Sequence, residues 1–205
     1  MTPLSRRVLL PAALAVLLAG CGGRPGAEPA APQVSGSAPP SLSAPAGSTP
    51  HALRRSVPVR LTIPAIGVDT PLMRLGLASD GTVQVPPVTA HDRAGWYAHS
   101  PTPGQTGPSV ILGHVTVGSY GDGVFRHLAR LRRGDRIQTR LESGTTAVFT
   151  VSSVRTVAKA DFPAKDVYGD VGRPELRVIT CGGPRSGDGY PDNVIVFAVL
   201  TSTTP

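Results

Sequence analysis

Cysteine is nearly absent from this chain: its 205 residues hold two, Cys21 and Cys181. Two cysteines, one of them near the N-terminus, cannot build the disulfide framework that props up small secreted domains. Aromatic residues are also scarce, at 4%, and acidic residues number 13 against 20 Lys and Arg, leaving a formal net charge of +7. That shortage of acid favours anionic surroundings such as membrane headgroups, wall polymers or nucleic acid, without choosing among them. A long apolar run is lacking too. The one that begins at Val8 covers about thirteen residues and contains Pro11, short of the roughly twenty that cross a bilayer as a helix. The length suits one domain with a core of its own and is small for two.

The N-terminus reads "MTPLSRRVLLPAALAVLLAGCGG", with a basic start at Arg6 and Arg7, the apolar run, and small residues Ala19 and Gly20 before Cys21. This is the pattern of an export signal. Leu18-Ala19-Gly20-Cys21 is similar to a bacterial lipobox, so residues 1–20 are expected to be a lipoprotein-type signal peptide. Cys21 then becomes the lipidated first residue of the mature chain, tethered to the outer face of the membrane. Residues 21–52 are dominated by Pro, Ala, Ser and Gly, with almost nothing large and apolar to bury. Such a stretch cannot offset its ordering entropy and is expected to be a disordered, semi-extended tether.

From residue 53 to 203 the texture is that of a folded domain. "VRLTIPAIGVDTPLMRLGLASDGTVQVPP" alternates apolar and polar residues between turn signals, and Asp80-Gly81 predicts a hairpin between Leu77 and Val83. Further strand-like runs cover 109–112, 136–141, 147–157, 176–181 and 193–200. The pattern predicts an all-β, antiparallel barrel or sandwich. "GVFRHLARLRRGD" spaces Phe125, Leu128 and Ala129 for a helical turn or two. Its arginines are read as a solvated face: no aromatics interleave them and an export signal lies upstream, so no nucleic-acid partner is expected. Trp96 and Tyr97 are expected to pack the barrel. Asp and Glu are scattered, and neither a metal site nor a cofactor is expected.

With Cys21 committed to lipid, Cys181 has no partner within the chain, and an unpaired thiol in an exported domain calls for a chemical role. It ends the run "LRVIT" and precedes Gly182-Gly183-Pro184, a strand end beside a glycine-rich loop where a substrate can approach. A thiolate nucleophile needs a base or a cation nearby. His51 lies in the tether, and His91, His99 and His127 fall on loop or helix surfaces. His114 follows the apolar run "PSVILG" at another glycine-flanked strand end.

"GPSVILGHV", "LARLRRGDRI" and "ELRVITCGG", in this order and at these separations, resemble the sortases. "TCGG" followed by "YPDNVIVFA" is most similar to their class F branch of actinobacteria, and the likeness runs roughly from Val57 to Val199. It implies an eight-stranded β-barrel with one or two short helices. The implied activity is transpeptidation at a C-terminal Leu-Pro-x-Thr-Gly-type sorting signal of secreted proteins, passing the acyl group to a peptidoglycan precursor or another amine on the extracytoplasmic, wall-facing side of the membrane. Carried over, Cys181 is the nucleophile and His114 the general acid/base. The family's third residue, an arginine before the last strand, is missing: Pro191 stands there, with neither side-chain donor nor amide hydrogen. Arg185 in the same loop is the expected substitute. Arg177 shares strand parity with Ile179 and Cys181, and Arg177, Ile179 and Thr180 are expected along the substrate groove. Losing an oxyanion donor costs on the order of 10²–10³ in rate. A thiol hydrolase on the same signals and a catalytically impaired signal-binding barrel therefore stand as alternatives.

Overall fold

The computed structural model of the chain describes residues 51–187 and 189–205. The expected signal peptide, Cys21 and nearly all of the expected tether lie outside the described residues.

Among the described residues eight strands close into a barrel: β1 (Pro58–Ile63), β2 (Val68–Leu75), β3 (Ala94–Tyr97), β4 (Gly107–Leu112), β5 (Arg136–Leu141), β6 (Thr146–Ala158), β7 (Pro174–Gly182) and β8 (Asp192–Thr204). Around the barrel the order is β1-β2-β3-β4-β7-β8-β6-β5, and β5 pairs back onto β1. The all-β, eight-stranded barrel expected from the sequence is thus present. The expectation of antiparallel pairing needs correction, because β2 pairs with β3, and β4 with β7, in parallel. Parallel neighbours need a long crossover, and residues 76–93 and the whole β5–β6 excursion supply them. The Asp80-Gly81 hairpin shrinks to one bridge, Leu77 to Val83, with Gly81 at φ 81°. Asp80 accepts hydrogen bonds from both the amide and the hydroxyl of Thr82, a local turn that needs no longer ladder.

Strand burial follows what covers each face. β5 alternates exposed and buried residues, the signature of one wet face. β4 is buried at every position and β7 at all but Cys181, because their outer face is also covered. The inner core gathers Leu61, Trp96, Ile111, Phe125, Phe149, Leu176, Val178 and Val196. A second cluster on the outer face of β4 and β7 joins Leu75, Val110, Leu112, Ile179, Ile195 and Phe197 under Val167 of the short helix α1 (Ala164–Tyr168). Trp96 is fully buried and donates Nε1–H to the carbonyl of Pro101 at 3.1 Å. The helical turn expected near Leu128 is a single 3-10 turn, Leu128–Arg130, with Phe125 and Leu128 sealed in the core.

Candidate active site

The parallel pairing of β4 with β7 sets Leu112 against Ile179. His114 stands two residues beyond Leu112 and Cys181 two residues beyond Ile179. The two chain ends are tied together where the regular ladder stops: Gly113 N–H donates to the Ile179 carbonyl at 3.1 Å, and the Thr180 hydroxyl donates to the Gly113 carbonyl at 2.8 Å. Cys181 is a free, half-buried thiol. His114 is half-buried as well, and its Nε2 bonds the Pro86 carbonyl at 2.5 Å. A carbonyl oxygen only accepts, so Nε2 carries a proton and Nδ1 is the basic nitrogen of the neutral ring.

Cys181 opens into a cavity of about 200 Å³. It is lined by Thr180, Gly182, Gly183, Tyr190 and Val194 from β7, β8 and their connection, by Val115, Phe125, Arg126 and Ala129 from the segment after β4, and by Thr156 of β6. The glycines after the thiol are required by packing. A Cβ on Gly182 would lie 2.7 Å from Val194, and one on Gly183, at φ 80°, would lie 2.6 Å from the Asp192 carboxylate. Across the cavity the Tyr190 hydroxyl donates to Thr116 at 3.3 Å, tying the β7–β8 loop to the segment that follows His114.

The remaining residues singled out from the sequence fall elsewhere. Arg177 shares a strand face with Ile179 and Cys181, but four residues before the thiol, or about 13 Å along an extended strand. There it is 3% exposed, and its guanidinium is engaged by Glu175 at 2.7 Å, the Asp166 carbonyl at 3.1 Å and the Phe197 ring at 4.6 Å. Burial works to raise the Glu175 carboxyl, but hydrogen bonds from Arg173 and Arg177 outweigh it and hold the group below the ordinary carboxylate range. Ile179 is buried in the outer cluster. Thr180 lines the cavity while its hydroxyl is spent on Gly113. Arg185 is exposed on the β7–β8 loop and is not among the residues lining the cavity. Arg126 and Ala129, read from the sequence as part of a solvated face and of a helical turn, line it together with Tyr190, which was not singled out from the sequence. Among the described residues no group of three or more His, Cys, Asp or Glu side chains is arranged to hold a metal ion.

A thiol and an imidazole on neighbouring strand ends of a closed barrel are of the residue types that nucleophilic catalysis uses. Residues 61–201 match the model of the sortase domain, and the chain belongs to the sortase family. No curated protein matches it. Solved structures similar to it include sortase A from Corynebacterium diphtheriae, 22% identical over 74% of this chain with a TM-score of 0.55. The chain spans 64% of that protein's length. Sortase C-1 from Actinomyces oris is 21% identical over 70% of this chain and 73% of its own, with a TM-score of 0.54. The sortase D5 transpeptidase of Clostridium perfringens is 20% identical over 72% and 79%, with a TM-score of 0.53. At these identities the likeness is one of fold.

Proposed function

We propose that the protein is a cysteine transpeptidase that cuts secreted proteins at a C-terminal Leu-Pro-x-Thr-Gly-type sorting signal and joins them to a cell-wall amine, such as a peptidoglycan precursor. The observation that carries this reading is a half-buried thiol lining a cavity at the end of β7, with His114 at the end of β4, the parallel neighbour of that strand.

The Cys181 thiolate adds to the threonine carbonyl carbon. The carbon–nitrogen bond to glycine then breaks, and His114 gives the departing amine the proton that Nδ1 took from the Cys181 thiol when the thiolate formed, leaving a thioester on sulfur. An incoming amine adds to the thioester carbon, loses its proton to His114 and expels the thiolate as the new amide forms. A separate depression of about 440 Å³, lined by Leu77, Gly81, Val83, Tyr97, His99 and Tyr168, offers largely apolar and aromatic surface, suited to the leucine and proline of such a signal.

The class F likeness of "TCGG" and "YPDNVIVFA" supports an actinobacterial-type member of the family. The lipobox-like "LAGC" supports a lipid on Cys21 that holds the domain on the extracytoplasmic, wall-facing side of the membrane. A Cys21→Ser variant then leaves the membrane fraction. Unchanged fractionation would discard the anchor. A second reading, a barrel that binds sorting signals without turning them over, is favoured by Pro191 in place of a donor.

Incubating the protein with a quenched Leu-Pro-x-Thr-Gly peptide, with and without an amine, and weighing the products separates the readings. An amide product marks a transferase and a free acid alone marks a hydrolase. Peptide binding without a product marks the binding barrel.

A further inference from the structure

We propose that Arg126 is the cation of the Cys181 cavity, its guanidinium donating to the carbonyl oxygen under attack as that oxygen takes up negative charge. The proposal rests on the acyl-transfer reading and names the residue that stabilises its intermediate.

Among the described residues lining the cavity, Arg126 alone carries a formal charge. The other arginines at hand are spent or distant: Arg177 donates from all three guanidinium nitrogens to Glu175, Asp166 and Leu176, and Arg185 sits outside the lining. The segment carrying Arg126 is fastened to the one carrying His114. Gly123 N–H donates to the Val115 carbonyl at 3.0 Å, and Phe125 N–H donates to the His114 carbonyl at 2.9 Å. A Cβ on Gly123 would lie 2.3 Å from that same His114 oxygen, so only glycine permits the approach. Phe125, fully buried, anchors the turn in the core, and Arg126 N–H closes it onto the Gly123 carbonyl at 3.0 Å. The backbone segments that carry the imidazole and the guanidinium are thereby bonded to each other.

The guanidinium is not used up. Its ion pair is with Asp122 at 3.1 Å, with side chains 47% and 67% exposed. An exposed pair of this kind is weak, and a guanidinium has five N–H donors. Arg126 also lines a neighbouring depression together with Asp122, Asp69 and Asp92, and Asp122 is absent from the lining of the thiol cavity. A donor aimed at a developing oxyanion contributes on the order of 10²–10³ in rate.

The test uses the full-length protein and its Arg126→Ala and Arg126→Lys variants in two assays. In the first, Cys181 is alkylated with iodoacetate and with iodoacetamide, two reagents that differ in charge. The ratio of the two rates is expected to fall several-fold in Arg126→Ala and to persist in Arg126→Lys. An unchanged ratio overturns the placement of the cation. In the second, acylation by a Leu-Pro-x-Thr-Gly peptide is followed: kcat is expected to fall by about 10²–10³-fold with KM little changed, and Arg126→Lys to restore part of it. Active wild type with an equally active Arg126→Ala variant overturns the oxyanion role and leaves the transpeptidase reading standing. Folded wild type that takes no acyl group from the peptide overturns that reading instead, and the alkylation ratio still decides whether Arg126 faces the thiol.

Discussion

At its N-terminal end β7 carries Glu175 and Arg177 with their charges fully matched: both carboxylate oxygens accept from Arg173 and Arg177, and Arg177 adds two backbone carbonyls and an aromatic face. Six residues after Glu175, one short of its end, the same strand carries a half-buried thiol beside a cavity where the one arginine among the described lining residues is held by an exposed aspartate. The difference shows how one strand divides its labour. Charges that are buried and saturated fix the barrel, and they are poor catalysts because every donor is committed. Groups left under-committed at the strand end contribute little to folding and remain available to a substrate.

Four substitutions or conditions press on that division. At the open end, His114→Ala is expected to slow acylation by about 10²–10⁴-fold in single-turnover peptide cleavage, with the urea unfolding midpoint unmoved. A rate within tenfold of wild type would mean that the imidazole is not the proton carrier. At the saturated end, Glu175→Ala leaves Arg177 buried without its carboxylate and is expected to cost about 3 kcal/mol in urea unfolding. Alkylation of Cys181 per folded molecule should be unaffected, and a matching loss of thiol reactivity would join the two regions that are separated here.

The same carboxylate gives the acid side of the stability curve its shape. Glu175 is held below its ordinary pKa, so the folded state binds its proton less tightly than the unfolded chain does. Its contribution is complete above the ordinary carboxylate range, near pH 4.3, and is lost as the pH falls through the lower folded value. Thermal melts between pH 6 and 3, a range chosen around that value, should show a steeper acid loss for wild type than for Glu175→Gln, and parallel curves would contradict the assignment. The smallest effect belongs to the surface pair of Arg60 and Asp69, bonded at 2.6 Å on β1 and β2. Solvent screens it, and Arg60→Ala should leave both the melting temperature and the thiol chemistry at wild-type values within error.

The strand runs were legible because their β-branched residues are local signals: the expected 109–112, 136–141 and 176–181 lie inside β4, β5 and β7. The four-residue β3, "AGWY", carries too little alternation to announce itself. The parallel partnerships of β2 with β3 and of β4 with β7 were also beyond reach, since which strand lies beside which depends on the path of the connections rather than on the runs themselves. At the site, Cys181 and His114 stood out as an unpaired thiol and a histidine at a strand end. Arg126 did not, because in sequence it is one of five arginines between 126 and 136. What sets it apart is a tertiary accident of spacing, the bonds from Gly123 and Phe125 to the Val115 and His114 backbone. Arg177 shows the converse: its strand parity with Cys181 could be read from the sequence, but the partners that engage it, Asp166 and Phe197, come from other elements.

Mass analysis of the intact protein after brief exposure to a Leu-Pro-x-Thr-Gly peptide tests the central assignment most directly. Wild type is expected to gain the acyl portion of the peptide, ending at threonine, as a hydroxylamine-labile thioester mapped to Cys181, and Cys181→Ala is expected to gain nothing. A folded wild type that stays unmodified, or a Cys181→Ala variant that carries the same adduct, would contradict it.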